Sequence, residues 1–113
     1  PGFVTYSLTI NETHLATPFA VHGGVLSALL DATVGVGALS SVCEEGKVVS
    51  TVELNITFLA PALLNDQLIA KSKILKKGKR LIFMEANVEN QDGLLLAKAS
   101  SIMNSYPKEK AGY

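Results

Sequence analysis

The sequence predicts an α+β fold, in which a curved antiparallel sheet wraps around one long central helix. Three observations predict it: a first segment with a period of two, a long apolar segment at residues 24–42, and four later segments separated by turn residues. Hairpin turns require antiparallel strands, and a helix without a polar face has to pack against the sheet. The 113 residues fit one domain over 1–113, with a flexible polar tail at 108–113.

The first element is a strand over residues 3–10. Its apolar residues alternate with a second row that is mostly hydroxyl-bearing, as in a strand with two different faces. The apolar row consists of Val4, Tyr6, Leu8 and Ile10. A loop follows this strand, because Pro18 disfavours a helical backbone in the residue before it.

The long segment at residues 24–42 predicts a helix that is apolar on every side, which is typical of a buried helix. Gly35 and Gly37 each cost such a helix about 1 kcal/mol relative to alanine. We therefore expect them to let another backbone approach closely. Asp31 interrupts the apolar run, so that we expect no stretch long enough to cross a membrane.

Four strands are predicted after the helix, over residues 48–60, 67–75, 80–89 and 94–105. Lys77-Gly78 and Asp92-Gly93 mark tight turns between them, and the second pair is a strong hairpin signal. Unbroken alternation in the first of these strands puts Val52 on one face together with Leu54, Ile56 and Phe58. The same alternation puts Thr51 on the opposite face, together with Glu53 and Asn55.

The composition narrows the function classes. Hydrophobic residues make up 48% of the chain and charged residues only 18%, so an oligomer is expected to cover the surplus apolar surface. The formal net charge is zero, which favours neither a nucleic acid nor a membrane as partner. Cys43 is the only cysteine, and we expect a small buried hydrophobe rather than a nucleophile in a cytoplasmic protein.

Asp31 is the only formally charged side chain between Thr13 and Cys43, and it lies in the middle of the apolar helix. Burying an unpaired carboxylate costs several kcal/mol unless hydrogen-bond donors surround it. Two interpretations follow with similar weight. Either Asp31 has a chemical role, or the helix simply turns it outward or towards a nearby backbone group.

The tripeptide His22-Gly23-Gly24 directly precedes this helix and favours the chemical role. Two glycines leave the first N–H groups of the helix unobstructed, and these donors with the helix dipole favour negative charge. The oxyanion that forms when a thioester carbonyl is attacked needs such a site. The glycines are also compatible with a plain tight turn. For His22, a role in orienting the loop is favoured over that of a general base.

The spacing of these residues predicts a shared site. Gly23 precedes Asp31 by eight residues, which is about 12 Å of helix rise. A reacting carbon needs its oxyanion donors and its base or nucleophile within about 3 Å. One helix cannot supply both, whereas two antiparallel copies can, with Gly23 of one subunit facing Asp31 of the other. We therefore predict a homodimer with two shared sites.

At this point the sequence resembles the hotdog-fold thioesterases, especially the phenylacetate-degradation type. His22-Gly23-Gly24-Val25 followed by Leu30-Asp31 matches the helix signature of the family in spacing and in residue type. Residues 51–62 resemble its second-strand motif, and residues 76–79 and 96–99 resemble its later hairpin and final strand. The resemblance extends over nearly the whole chain.

The resemblance implies acyl-CoA hydrolysis at a dimer interface, often in a tetramer built from two dimers. In that case Asp31 is the nucleophile or the base that activates water, and the Gly23 N–H polarises the thioester carbonyl. His22 supports this loop beside Gly24, and Thr51 stands where the family often has a hydroxyl residue near the attacking water. Coenzyme A is then part of the substrate, and no separate cofactor is expected.

One departure from the family concerns Ala16. Many relatives have an asparagine or glutamine six residues before the histidine, where it helps to hold the water or the carbonyl. In this chain Thr17 or His14 would have to take over this task, or the water is held less well.

Lysines around the predicted hairpin are candidates for binding the phosphates of coenzyme A, namely Lys76, Lys77 and Lys79. A solvated turn that protects an edge strand explains the same charges. For the acyl group we predict a path along Leu30 and Val34. Two histidines and one cysteine match no zinc pattern, so no metal is expected.

Three other functions fit the sequence less well. A binding module would hold an acyl-CoA or acyl chain without cleaving it, and Ala16 keeps this possibility open. A dehydratase or hydratase of the same fold would use His22 and Asp31 to exchange protons with the substrate. A purely structural oligomer would not need a carboxylate in the helix.

Overall fold

The computed structural model describes residues 2–18 and 20–112, so the two ends of the predicted domain and tail, Pro1 and Tyr113, lie outside the described residues. Three 3₁₀ turns accompany the main elements, at Glu12–His14, Cys43–Glu45 and Lys108–Ala111. The main elements in chain order are β1 (Phe3–Thr9), α1 (Gly23–Ser40), β2 (Lys47–Phe58), β3 (Gln67–Lys77), β4 (Leu81–Glu89) and β5 (Leu95–Pro107).

The five strands form one antiparallel sheet in the order β1-β3-β4-β5-β2, and α1 contacts every strand of it. The predicted fold class is therefore confirmed. β1 and β2 are the edge strands. β2 pairs only with β5 in the described chain, which leaves the other edge of this 12-residue strand unpaired.

The core lies between the sheet and one face of α1. That face carries Leu26, Leu30, Val34 and Ala38 at helical spacing, and the inward rows of the strands complete the core. The opposite face of α1 is exposed along Gly24, Ala28, Asp31, Ala32 and Val36. The prediction of a helix buried on every side is therefore wrong for the single chain, because one sheet covers only one side of a helix.

By length and composition, α1 is apolar enough to cross a membrane, since its 18 residues have a mean hydropathy of 1.4. The expectation that Asp31 keeps every apolar stretch below that limit is wrong on this measure. Core helices of soluble proteins meet the same criterion, and one apolar row of α1 packs against the sheet, namely Leu26, Leu30, Val34 and Ala38.

The two glycines inside α1 have different surroundings. A Cβ atom on Gly37 would lie 2.5 Å from Ser72 Oγ and 2.9 Å from Met84 Cε, so this glycine allows the sheet to approach α1 closely. A Cβ atom on Gly35 would have no neighbour within 4 Å. The atoms that approach Gly37 belong to side chains rather than to another backbone, and nothing approaches Gly35 within this chain, so the expected backbone contact is found at neither glycine.

Three register shifts interrupt the predicted alternation of side chains in the described strands, and the one between β4 and β5 lies between Val88 and Glu89. In β2 the register against β5 shifts between Thr51 and Glu53, which leaves Val52 unpaired. In β3 the register against β4 shifts between Ile74 and Lys76. Each bulge reverses which residues point towards the helix from that place onward.

Cys43 is exposed in the 3₁₀ turn that follows α1, so the prediction that it is buried is wrong. Its thiol approaches Ser40 O at 4.0 Å. Gly46 closes this turn in a left-handed backbone conformation with φ of 72°.

Candidate active site

A short hairpin leads the chain into α1. Leu15 bridges Val21 in antiparallel fashion, and the N–H of Ala16 donates to Ala20 O at 2.8 Å. The N–H of His22 donates to His14 O at 3.0 Å. These backbone bonds hold the residue before the helix at a defined place, whereas a loop-supporting role of the His22 side chain stays a prediction.

The N-terminus of α1 has no side-chain cap. His22 occupies the N-cap position and its side chain caps no backbone group, while its carbonyl accepts from the N–H of Val25 at 3.0 Å. Within the described chain, the N–H groups of Gly23 and Gly24 have no acceptor. They remain at the positive end of the helix dipole, where an anion is stabilised.

The space around these donors is open. A Cβ atom on Gly24 would meet nothing within 4 Å, and one on Gly23 would lie 3.6 Å from the ring of Phe58, an ordinary contact. Packing within the chain therefore does not require glycine at either position. The absence of side chains gives room to a molecule that approaches from outside this chain.

Asp31 and Thr51 form the second part of the candidate site. Thr51 Oγ1 donates to Asp31 Oδ1 at 3.4 Å, and both residues are exposed. Asp31 lies on the uncovered face of α1, so of the two interpretations the outward one describes its position. Exposure leaves the carboxylate accessible to substrate, and Thr51 is its hydrogen-bond partner in the described chain.

The bulge at Val52 is the reason why Thr51 reaches Asp31. Thr51 pairs with Met103, whose side chain is buried under the helix, and after the bulge Leu54 and Ile56 point to the same side. Unbroken alternation would place Thr51 on the opposite face from Leu54. The predicted face of Thr51 is therefore wrong, although its identity as a site residue stays a prediction.

Gly23 and Asp31 do not meet within one chain. They are eight residues apart on a straight helix, which corresponds to about 12 Å of rise. The structure thus brings Asp31 together with Thr51, and leaves the open N–H groups of Gly23 and Gly24 as a separate half.

An apolar cavity of about 370 Å³ begins beside Gly23. Phe58, with 52% of its surface exposed, forms one wall together with Leu26. The remaining lining consists of Val21 and residues 59–62. Sequence reasoning missed this cavity, because the proximity of the end of β2 to the start of α1 is a long-range contact.

Leu30 and Val34, which were predicted to line the acyl path, have 0% of their surface exposed. They face the sheet and belong to the core. The prediction is wrong for this chain, because the helix turns its large side chains inward and leaves small ones outside.

The lysines around the β3–β4 hairpin separate into different environments. Lys77 Nζ donates to Ser41 O at 2.7 Å and to Glu45 Oε2 at 2.8 Å, because the bulge in β3 turns Lys77 towards the end of the helix. Its predicted role in phosphate binding is corrected to one in holding the helix C-terminus. Lys76 is exposed and points to the opposite side of the sheet.

Lys79 lies in a basic cavity of about 630 Å³ at the other end of β2. Lys47, Arg80 and Lys110 also line it, together with Tyr106. Its wall further includes Asn104, whose buried Oδ1 has no hydrogen-bond partner in the described chain. Sequence reasoning found Lys79 but missed Lys47 and Lys110, which only the fold brings beside it.

The positions around Ala16 are occupied by local bonds. Thr17 Oγ1 accepts from the N–H of Ala20 at 3.0 Å, and His14 Nδ1 accepts from the N–H of Asn11 at 2.9 Å. Both groups that could replace the missing amide side chain thus help to shape the loop. Over residues 2–18 and 20–112, no group of three or more His, Cys, Asp or Glu side chains could hold a metal ion.

A family model of the thioesterase superfamily matches residues 20–97, which include the helix start, Asp31 and Thr51. The chain belongs to the thioesterase superfamily. Human acyl-coenzyme A thioesterase 13 is 30% identical to it over 100 residues, which span 87% of this chain and 69% of that protein.

Solved structures of thioesterases share the fold of this superfamily member. A hypothetical thioesterase from Streptococcus pneumoniae TIGR4 with coenzyme A is 25% identical, with a TM-score of 0.84 over 94% of this chain and 80% of that chain. The E. coli PaaI protein from the phenylacetic acid degradation operon has a TM-score of 0.86 at 23% identity, over 93% of this chain and 73% of that chain. The predicted family and fold are confirmed, and this superfamily member is a thioester hydrolase.

Proposed function

We propose that the protein hydrolyses acyl-CoA thioesters to a free acid and coenzyme A, at a site that two subunits share. The observation that carries the proposal is the division of the site on α1. An accessible carboxylate, Asp31, is held by Thr51 on the uncovered face, while the open N–H groups of Gly23 and Gly24 lie about 12 Å away.

The chemistry needs both halves. In one route Asp31 accepts a proton from a water molecule, and the water oxygen bonds to the thioester carbon. The carbonyl oxygen becomes an oxyanion, which the N–H of Gly23 stabilises. When the C–S bond breaks, the sulfur leaves as coenzyme A and takes up the proton. In the other route the Asp31 carboxylate attacks the carbon itself, and the C–S bond breaks to release the coenzyme A thiolate. Water then hydrolyses the resulting anhydride to the free acid and the Asp31 carboxylate, and the proton set free is taken up by the thiolate.

A second copy of the chain supplies the missing half. Antiparallel pairing of two β2 edges would place α1 helices side by side, so that Gly23 of one subunit approaches Asp31 of the other. The unpaired edge of β2 and the small residues on the outer face of α1 support this arrangement. Val52, with 59% of its surface exposed at the bulge, adds apolar area to the same region. A dimer of such dimers and a cytoplasmic location stay predictions.

Coenzyme A as the carrier is supported by the basic cavity. Lys47, Lys79, Arg80 and Lys110 place four cations where phosphates would bind, and Lys47 lies four residues from Thr51 along β2. That separation is about 13 Å, a span that a pantetheine arm bridges. The names of the relatives, an acyl-coenzyme A thioesterase and a thioesterase with coenzyme A, point to the same carrier.

The apolar cavity beside Gly23 is proposed to hold a small or medium acyl group, or an aromatic one. Its volume of about 370 Å³ is at the lower end of the range of ligand pockets. Phe58 would contact the acyl group directly, since its ring already lies over Gly23.

Thiol release from short, long and aromatic acyl-CoAs tests the proposal, with wild type compared with Asp31→Asn. We expect turnover of at least one short or aromatic substrate, and a loss of about a hundredfold or more in the variant. Asp92→Asn, in the β4–β5 hairpin, is the matched control and should keep wild-type turnover. A variant as active as wild type would contradict the role of Asp31.

The subunit arrangement is tested by mixing two inactive variants, Gly23→Pro and Asp31→Asn. In an equimolar mixture about half of the dimers are heterodimers, and a shared site predicts that one of the two sites in each heterodimer is intact. The mixture should therefore recover up to about a quarter of the wild-type sites. No recovery after verified subunit exchange would contradict a shared site.

A second candidate function is acyl-CoA binding without cleavage. The observation that favours it is Ala16, since His14 and Thr17 are engaged in local bonds and the position offers no amide side chain. Isothermal titration with a non-hydrolysable acyl-CoA analogue distinguishes the two functions. Tight binding of the analogue without thiol release from any acyl-CoA would favour the binding protein.

A further inference from the structure

Two buried serines bond to the two segments that carry Asp31 and Thr51. Ser72, on β3 and 2% exposed, donates from Oγ to Thr33 O at 2.9 Å. Ser101, on β5 and 3% exposed, donates from Oγ to Glu53 O at 2.9 Å. Each bond joins an inner strand of the sheet to a segment that carries one member of the Asp31–Thr51 pair.

Ser72 contacts α1 on the side opposite to Asp31. Thr33 follows Asp31 by two residues, which is a rotation of about 200° around the helix axis. Ser72 Oγ fits there because Gly37 has no side chain, and a Cβ atom on Gly37 would lie 2.5 Å from it. The contact therefore sets both the rotation of the helix and its distance from β3.

Ser101 contacts β2 directly beyond the bulge. Glu53 is the first paired residue after Val52, and Thr51 is the last one before it. A bond from the inner face of β5 to the carbonyl of Glu53 holds the strand where the register shifts. The bulge is what turns Thr51 towards Asp31, so that Ser101 acts on Thr51 through the backbone of β2.

We propose that Ser72 and Ser101 are positioning residues, which hold Asp31 and Thr51 in productive geometry for the reaction. The inference rests on the proposed function, because it assigns a task to the same carboxylate. Side-chain atoms lie about 6 Å from a helix axis, so a rotation of only about 10° would move the carboxylate by about 1 Å. Displacements of that size can cost about a hundredfold in rate.

The Asp31–Thr51 bond is sensitive to such a displacement. Its length of 3.4 Å is already near the outer limit of a hydrogen bond, so a small shift breaks it. The carbonyl of Thr33 is also an intrahelical acceptor for the N–H four residues later. Ser72 is therefore not needed to satisfy that carbonyl, which separates its role from ordinary capping.

Ser72→Ala and Ser101→Ala test the proposal, with Ile10→Val as the control. Ile10 is buried in the core and makes neither of these bonds, so its variant reports on destabilisation alone. We expect kcat to fall about 10- to 100-fold in both serine variants, with KM changed less than about threefold. The control should keep kcat within about twofold of wild type at a comparable loss of melting temperature. Serine variants that match the control in kcat would overturn the proposal.

Combining each serine variant with Asp31→Asn gives a second test. A residue that acts through Asp31 loses its effect on kcat once the carboxylate is gone, whereas its effect on melting temperature persists. Equal factors on kcat in both backgrounds would mean that the serines are merely structural, and would overturn the inference.

A measurement without turnover separates this inference from the proposed function. The ¹³C resonance of the Asp31 carboxylate, assigned with the Asp31→Asn variant, should shift in Ser72→Ala and in Ser101→Ala but stay in place in Ile10→Val. If wild type releases no thiol while these shifts are present, the proposed function fails and the positioning role stands. If wild type is active and the resonance stays unmoved in both serine variants, the positioning role fails alone.

Discussion

The two ends of α1 are built in opposite ways. At the C-terminus, hydroxyl groups and an ammonium group bond to the carbonyls: Ser40 Oγ donates to Gly37 O and Ser41 Oγ donates to Ala38 O, each at 2.7 Å, and Lys77 Nζ donates to Ser41 O at 2.7 Å. At the N-terminus no side chain caps the helix. A missing N-cap lowers the free energy of unfolding by about 1 kcal/mol, and it leaves the first N–H groups of the helix free to bind an anion.

The difference shows which end holds the helix and which end does chemistry. The C-terminal end is joined to β3 through Lys77 and to the start of β1 through Gly2, whose N–H donates to Ser40 Oγ at 2.8 Å. The N-terminal end follows the hairpin, whose backbone bonds hold His22, and no side chain caps it in the described chain. Anchoring one end leaves the donors at the other end accessible without loosening the helix.

Among the variants at the two ends of α1, Gly23→Pro should change the thioesterase activity most. Proline at the first helical position removes the N–H of Gly23 and is otherwise well tolerated, and His22 already has the extended ψ of 134° that a following proline prefers. We expect thioesterase activity to fall about 10²- to 10³-fold with little change in the melting temperature.

Gly23→Ala is the control for that variant. It keeps the N–H group and places a Cβ atom at an ordinary 3.6 Å from the ring of Phe58. Activity within a few fold of wild type is expected. An alanine variant as impaired as the proline variant would show that the open space matters rather than the donor.

His22→Asn should give the N-terminus of α1 a side-chain cap, so that side chains bond to the backbone at both ends of the helix. An asparagine at the N-cap accepts a hydrogen bond from the N–H of Gly24 or Val25, which raises the free energy of unfolding by about 1 kcal/mol. The same bond competes with the oxyanion, so we expect activity to fall about tenfold. Thermal unfolding and thiol release measured on one preparation check both signs.

His22→Ala separates the two effects, since it removes the imidazole without adding a cap. We expect it to leave the melting temperature lower than that of the asparagine variant. If the asparagine variant gained stability and kept full activity, the N–H group bonded by the new side chain would have no part in catalysis.

Lys77→Met addresses the C-terminal end and should have the smallest effect. The Lys77 ammonium, through its hydrogen bond and its charge, holds the pKa of the Glu45 carboxyl below its ordinary value of 4.5. A carboxyl with a lowered pKa in the folded state stabilises the protein above its unfolded-state pKa, and this contribution is lost as the pH falls through the folded-state value. The pair is exposed, so the contribution is small.

Chemical denaturation at pH 7 and at pH 3 checks this prediction. Wild type should be slightly more stable than Lys77→Met at pH 7. At pH 3 the Glu45 carboxylate is largely protonated, so its contribution to this stability difference should disappear. Glu45→Gln should show the same loss of pH dependence. A stability difference between wild type and both variants that grew in acid would contradict the expected direction.

Much of the candidate site was predictable because its signals are local. The glycines after His22 mark an unobstructed helix start whatever the rest of the chain does, and Asp31 stands out because no other formal charge lies near it in sequence. Residues 3–10 and the hairpin at Asp92-Gly93 were predictable for the same reason, as alternation and turn chemistry depend on neighbours in the chain.

The incorrect predictions for Leu30, Val34 and Lys77 have a common cause, because the sequence does not show towards which face of its element a side chain points. The sequence predicts Leu30 and Val34 on the acyl path, yet the sheet covers them. It also predicts Lys77 among the phosphate ligands, yet a bulge turns it towards the helix. A helix that is apolar on every side does not reveal which side the sheet will cover, and a bulge leaves no clear signal in a short strand.

Local patterns in the chain predict the order of the elements, the open helix start, and the spacing of about 12 Å that no single helix can bring to one carbonyl. The contacts of Thr51 with Asp31, of Phe58 with Gly23, and of Lys79 with its basic neighbours become visible only in the folded chain. The physical reason is that spacing along one helix is a local property of the backbone. Contacts between elements depend on register, and in β2 a single extra residue, Val52, reverses the face that meets the helix.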